Sequence, residues 1–169
     1  MSGAATPPSV AQALSLLLDH GLLALNRAVG ELRRRNLPIE SLAVGPGDAP
    51  GQARLTVIVN TDEATAEMTM RKLHKLSGVR GVTRFSVADG VARELALVKV
   101  RLAPERHAAL FDVCDTFKAT VVAELPEQTI VQLAGTGACV LAFVRALEPF
   151  GILELTRSGA VALSCVPAQ

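Results

Sequence analysis

The chain has no Trp, no Tyr and only five Phe among its 169 residues. Single-strand nucleic-acid binding stacks bases on aromatic platforms, and this supply is too thin for it. Positive charge is not in surplus either: 17 Lys and Arg face 16 Asp and Glu, for a net charge of +1. Neutralising phosphates needs a basic excess, so a nucleic-acid partner is excluded. The three cysteines, Cys114, Cys139 and Cys165, show no C-x-x-C and no Cys/His ligand spacing. They read as reduced thiols in a reducing compartment, and no metal site is expected. His20, His74 and His107 stand alone, away from any second ligand. Long hydrophobic runs are missing too. The most apolar stretch, Ala11 to Leu25, is broken by Gln12, Asp19, His20 and Gly21. A membrane span needs ~18 uninterrupted apolar residues, so no membrane role is expected. Residues 1–11 read as a disordered tail without the positive start of a signal peptide. The expected localisation is cytoplasmic.

What is abundant is apolar surface: 50% of the residues are hydrophobic. A chain of this length buries roughly 70% of its unfolded surface, so a core forms without disulfides or metals. Disorder as the main state is excluded. Greasy composition with little net charge favours self-association, so part of the apolar surface is expected to be an interface.

The hydrophobic pattern gives one arrangement twice. Leu14 to Leu18 reads as a buried strand, followed by a turn at Asp19-His20-Gly21. Leu22, Leu25, Val29 and Leu32 then recur at helical spacing, ending near Arg33-Arg34-Arg35, where cations suit a helix C-terminus. Ile39 to Val44 is a strand, residues 45–51 a Gly/Pro loop, and Ala53 to Val59 a second strand. Asn60 or Thr61 can cap a helix whose inner face is Ala66, Thr69, Met70, Leu73 and Leu76. Gly78 stops it, and Val79 to Val87 alternates as a strand. After Ala88-Asp89-Gly90 the order restarts. Glu94 to Leu102 is a strand, and Pro104 opens a helix carrying Leu110, Val113, Cys114 and Phe117. Thr120 to Leu125 and Thr129 to Leu133 are strands. Val140, Phe143, Val144 and Leu147 mark a helix ended by Pro149. Ile152 to Leu155 and Ala160 to Leu163 read as a hairpin around Arg157-Ser158-Gly159. The fold class expected is therefore α/β of the α+β kind: tandem ferredoxin-like βαββαβ sandwiches, over 12–88 and 91–165. Helices on one side leave the other face of each sheet open, and such faces ask for partners.

No catalytic constellation emerges. Gly45-Pro46-Gly47 and Gly135-Thr136-Gly137 complete neither a phosphate loop nor a dinucleotide fingerprint. The serines lack a nucleophile elbow. Glu63 and Glu67 lie four apart on what reads as the outer, solvated face of a helix.

Three segments in order do carry a resemblance. Ile39-Glu40-Ser41-Leu42-Ala43-Val44-Gly45-Pro46 resembles the IESLTVGP stretch of acetolactate synthase small subunits. Arg93-Glu94-Leu95-Ala96-Leu97-Val98-Lys99-Val100 is similar to that family's RELALIKV. Pro149-Phe150-Gly151-Ile152-Leu153-Glu154, then Arg157-Ser158-Gly159 and Val161-Ala162-Leu163-Ser164, resemble its PFGILEI, R[TS]G and VALS. The resemblance implies an N-terminal ACT domain and a smaller C-terminal ferredoxin-like domain. It implies a regulatory subunit without catalytic residues or cofactors of its own. Such a chain dimerises through its ACT domains and activates a large catalytic subunit of branched-chain amino-acid (valine and isoleucine) biosynthesis. That partner uses thiamine diphosphate, Mg2+ and FAD. Valine as amino-acid effector is implied at the ACT dimer interface. There a helix N-terminus supplies free N–H groups and a two-chain site gives allosteric leverage.

The implied effector positions are His20, Gly21, Leu22 and Leu23 before and within the first helical turn, and Asn36, Leu37, Pro38 and Ile39 after the helix. The family reads N-E-P-G-V-L-x-R and then G-[FY]-N-I-E-S-L there. Ungapped, its Asn falls on His20 and its Gly on Leu23. Its second Gly falls on Asn36 and the Asn of NIESL on Pro38. A gapped alignment brings Gly21 onto the first Gly. Leu23 puts an isobutyl group where bare backbone is implied, and Pro38 removes an amide side chain and an N–H. His20 keeps hydrogen-bonding ability but with a different reach and a titratable charge. Valine sensing is therefore expected to be weakened or lost through decay or closure of the site, retuning to another ligand being the alternative. The rival reading is a stand-alone ACT-type small-molecule sensor with no synthase partner, which would have no need of the RELAL and PFGIL segments.

Overall fold

The computed structural model describes residues 9–19 and 21–166. Eight strands and four α-helices appear among them: β1 Val10–Asp19, α1 Leu22–Arg34, β2 Ile39–Pro46, β3 Gln52–Thr61, α2 Glu63–His74, β4 Val79–Ser86, β5 Gly90–Arg101, α3 His107–Phe117, β6 Thr120–Leu125, β7 Gln128–Gly135, α4 Gly137–Leu147 and β8 Ile152–Ser164. The order is βαββαβ twice, as the periodicity predicts. Contacts divide the chain into two units, one reaching Ala92 and including the segment from Ala160 onward, the other Arg93–Gly159. The strands β5 and β8 each belong partly to both.

The first unit holds a sheet in the order β2-β3-β1-β4, its strand pairs antiparallel. Cross-strand pairs Leu14↔Val57 and Leu16↔Leu55 put branched side chains on one face. There Leu14, Leu16, Leu18, Leu55, Val57 and Val59 meet Ala24, Ala28, Leu32 and Leu73 of the helices. The inner face of α1 is thus Ala24, Ala28 and Leu32, not Leu22, which lies exposed; Leu25 packs at the margin of the core. Small residues allow close approach: a Cβ on Gly78 (φ 89) would sit 2.8 Å from the Ala24 Cβ. The cap of α2 is Asp62, not Asn60 or Thr61. Asp62 Oδ1 accepts from the Thr65 N–H at 2.9 Å, and Oδ2 accepts from the Thr65 hydroxyl at 2.7 Å. Val10 and Ala11, expected in the tail, belong to β1; residues 1–8 of that tail lie outside the described residues.

The second face of this sheet is not left open. Ala13, Ile58 and Phe85 are buried there with Ala162 of β8, and Ala160 packs beside them. The Ala160 N–H donates to Ser41 Oγ at 2.6 Å, and the Cys165 N–H to the Asp89 carbonyl at 3.0 Å. The expected hairpin over 152–163 is instead one 13-residue strand. It passes through Gly159 at φ 76, a left-handed conformation that glycine adopts without a Cβ penalty. A polar triplet ending in glycine resembles a turn in sequence, and here it bends a strand.

The second unit holds a sheet in the order β6-β7-β5-β8. Ala96, Val98, Val100, Val131 and Leu133 pack against Leu110, Cys114, Val140, Phe143 and Leu147, which are the stripes read from helical spacing. Phe117 and Phe143 meet with ring centroids 5.4 Å apart, within the range of favourable tilted pairs. Thr136 caps α4 by accepting from the Cys139 N–H at 3.2 Å. The other sheet face carries Leu95 and Leu97, partly exposed, and the Lys99–Glu154 ion pair at 2.6 Å. No helix among the described residues is long and apolar enough to cross a membrane.

Candidate functional site

The expected effector positions fall into two groups at opposite ends of α1. At its start, Gly21 is the N-cap, with no side-chain cap and no acid in the first turn. Its φ of 167 is ordinary extended backbone. Leu22 is 76% exposed and Leu23 62% exposed, so both isobutyl groups project from the helix start. His20 lies outside the described residues. The preceding Asp19 accepts from Arg80 Nε at 2.7 Å, a contact that raises the Arg80 pKa further, chiefly by that hydrogen bond and then by Coulomb attraction.

At the other end Asn36 has φ 49, and its N–H closes the helix on the Arg33 carbonyl at 3.0 Å. Asparagine tolerates the left-handed region better than most residues, which accounts for its standing where the resemblance implies glycine. Leu37 packs on the core. The Pro38 carbonyl accepts from the Asn60 N–H at 3.1 Å, and Ile39 pairs with Val59. The two groups sit at the two ends of the 13-residue helix, whose rise is ~20 Å. One chain does not bring them together. A single small-molecule site drawing on both groups has to take each from a different chain.

A second constellation was missed by motif reading. Glu94 is only 7% exposed and ion-pairs with Arg157. The Leu95 N–H donates to Ser158 Oγ at 3.0 Å. A sequence signal for it existed: Glu94 shares the alternation of Ala96, Val98 and Val100, so it lies on the buried face, and a buried carboxylate demands a cation. Elsewhere, Lys99 holds Glu154 below the usual carboxylate range, first through its hydrogen bond and then through its charge. Burial pushes the Cys114 thiol up, with the Asp115 charge adding to it. All three cysteines are free, Cys114 buried and Cys165 exposed. No group of three potential metal ligands occurs among the described residues.

Comparison with known proteins decides the family. The profile of a family described as small subunit of acetolactate synthase matches residues 93–166. The acetolactate synthase small subunit of Mycobacterium leprae is 34% identical over 154 residues, covering 91% of each chain. This chain belongs to the acetolactate synthase small-subunit family. The small subunit of Haemophilus influenzae is 36% identical over 152 residues, covering 89% of this chain and 93% of its own. The crystal structure of the Thermotoga maritima small subunit superposes with a TM-score of 0.85 at 28% identity, over 94% of this chain and 99% of that one. The acetolactate synthase small subunit is the regulatory rather than the catalytic chain of a transferase. Membership of this family therefore implies a catalytic partner subunit.

Proposed function

We propose that this chain docks on the large catalytic subunit of acetolactate synthase and raises its activity, while valine feedback is weakened or lost. The observation that carries docking and activation is similarity over nine-tenths of the chain to small subunits. It includes the RELAL and R-S-G segments, which the fold uses as a pair rather than as idle surface. Thiamine diphosphate, Mg2+ and FAD belong to that partner in this reading, and the chemistry of joining two 2-oxo acids stays there.

Loss of valine sensing rests on Leu23 and Pro38, with His20 as the third change. An effector carboxylate is held by free N–H groups at a helix N-terminus, and two exposed isobutyl groups now crowd that start. At the far end the Pro38 ring offers no N–H. Because the two groups come from opposite ends of α1, the site belongs to a homodimer in which each chain supplies one group. Mixing the chain with its catalytic subunit is expected to raise acetolactate formation, and no gain would overturn the activating role. Titration calorimetry with valine is expected to show no heat at micromolar concentrations. A micromolar dissociation constant would overturn the lost-sensing half and leave activation standing.

A further inference from the structure

Two apolar patches of the first unit have no cover from their own chain. Leu22 and Leu23 project from the start of α1. Ile39, Leu42 and Val44 form a strip along β2, each at least 38% exposed. They pair with Val59, Val57 and Leu55, which line the core under the helices, so the strip lies on the helix side of the sheet. A bulge keeps the strip in line. Ile39 pairs with Val59 yet Ser41 pairs with Ile58, so Glu40 is an extra residue, and Ile39 stays on the face of Leu42 and Val44. The helix α2 packs over β4 and β1. That leaves α1 on the β3 and β2 side.

Strand register orders the two patches along the edge. Leu18 and Pro46 both pair with Ala53, and Gln12 and Ile39 both pair with Val59. Because β1 ends at Asp19 and α1 starts at Leu22, α1 starts at the Pro46 end of β2 and finishes at its Ile39 end. β2 is an edge strand, with backbone donors and acceptors open to another strand. The opposite edge, β4, carries Arg80 and Arg84, charges of the kind that blunt an edge. The only charge on β2 is Glu40. Pairing two copies of β2 antiparallel about a two-fold axis sets each end of the strand beside the opposite end of its copy. The same rotation sets the start of one α1 beside the end of the other, so Leu22 and Leu23 reach the second copy's Pro38 and Ile39. It also brings the Asp19 carboxylate toward the second copy's Arg33. Arg34 and Arg35 share Glu31, whereas Arg33 has no ion pair among the described residues. One operation thus matches apolar with apolar and charge with counter-charge.

We infer that Leu22 and Leu23 dock a second copy of this chain: their isobutyl groups pack on the second copy's Pro38 and Ile39, and the contact is made twice. The leucines then fill, with the protein's own side chains, the place where an effector shared by two chains would lie. That consequence rests on the two-chain effector site proposed above. The contact itself is a property of the free chain.

The test is sedimentation of the full chain over a concentration series. Replacing Leu22→Ser and Leu23→Ser together removes only side chains that are exposed in the single chain. It is expected to raise the dimer dissociation constant by at least about tenfold, since two buried leucines per copy return to water. Met68→Ser, an equally exposed change on α2, is expected to leave it unaltered. A second measurement places the contact. Leu23→Cys with Ile39→Cys, in a Cys165→Ser background, is oxidised and run on a non-reducing gel. Within one chain the two positions lie at opposite ends of α1, ~20 Å apart, beyond the reach of a disulfide. A covalent dimer is therefore expected, with either single-cysteine variant staying monomeric. A wild-type chain that is monomeric at every concentration overturns the inference, as do equal effects of the serine pair and Met68→Ser, or no covalent dimer. Micromolar valine binding by wild type, with the serine variant still dissociating, overturns lost sensing and leaves the leucine contact standing. Calorimetric silence with unchanged dimerisation of the serine variant overturns the contact and leaves lost sensing standing.

Discussion

The side chain of Arg84 is 18% exposed and meets three acceptors: Gln12 Oε1 at 3.0 Å, Glu63 Oε1 at 2.9 Å and Glu67 Oε2 at 3.2 Å. The two carboxylates four residues apart are therefore not simply a solvated helix face, as their spacing alone suggests. Their contributions differ. Glu63 is mostly exposed, and an exposed ion pair contributes little. Gln12 is a buried residue on β1, and losing its donor strands a buried carbonyl oxygen. Arg84→Met is accordingly expected to lower stability by about 2 kcal/mol, and Glu63→Gln by less than about 0.5 kcal/mol. The double variant Gln12→Met with Arg84→Met is expected to recover part of the loss, because it removes the orphaned acceptor as well as its donor. Urea unfolding midpoints at constant m-value measure all three. Equal effects of Arg84→Met and Glu63→Gln would refute this ordering.

Among the elements, the cap of α2 makes the sharpest test. Hydrogen bonds from the Thr65 side chain and backbone hold the Asp62 carboxyl below its usual pKa. A carboxylate with a depressed folded pKa stabilises the fold above the unfolded pKa and loses that contribution as pH falls through the folded one. Asp62→Ala is expected to lower Tm by a few degrees at neutral pH, with the gap to wild type closing below the ordinary aspartate range. Asp62→Asn keeps a capping oxygen and is expected to show no such closing. Helices of this kind were legible in sequence where apolar residues recur at three and four, as in Val140, Phe143 and Leu147. The inner face of α1 was not, because Leu22, Leu23 and Leu25 outnumber the small residues that are in fact buried. Nor was the pairing of Glu94 with Arg157, because its partners are 63 residues apart and β8 resembled a hairpin. The two ends of α1 were legible as positions, but the ~20 Å between them emerges only from the helix itself.

For the whole molecule, the division into units does not follow the order of the chain. Residues from Ala160 onward belong by contact to the first unit, although they follow the last residue of the second. Alternation along a strand predicts that a sheet has two faces; it does not say which remote segment covers one of them. The cover here is Ala160 and Ala162, small residues that let β8 lie close over Ala13, Ile58 and Phe85. A chain ended after Gly159 therefore removes nothing from the helix-packed core of the second unit, yet it bares an isoleucine and a phenylalanine in the first. Exposure of two such side chains is worth on the order of 3 kcal/mol. The expected result is loss of amide protection in β1 and β3, with Val98, Val131 and Leu133 keeping theirs. If the truncation loosened the second core first, the C-terminal segment would belong with the unit that precedes it in sequence. The Ser41–Ala160 hydrogen bond would then be incidental to the fold.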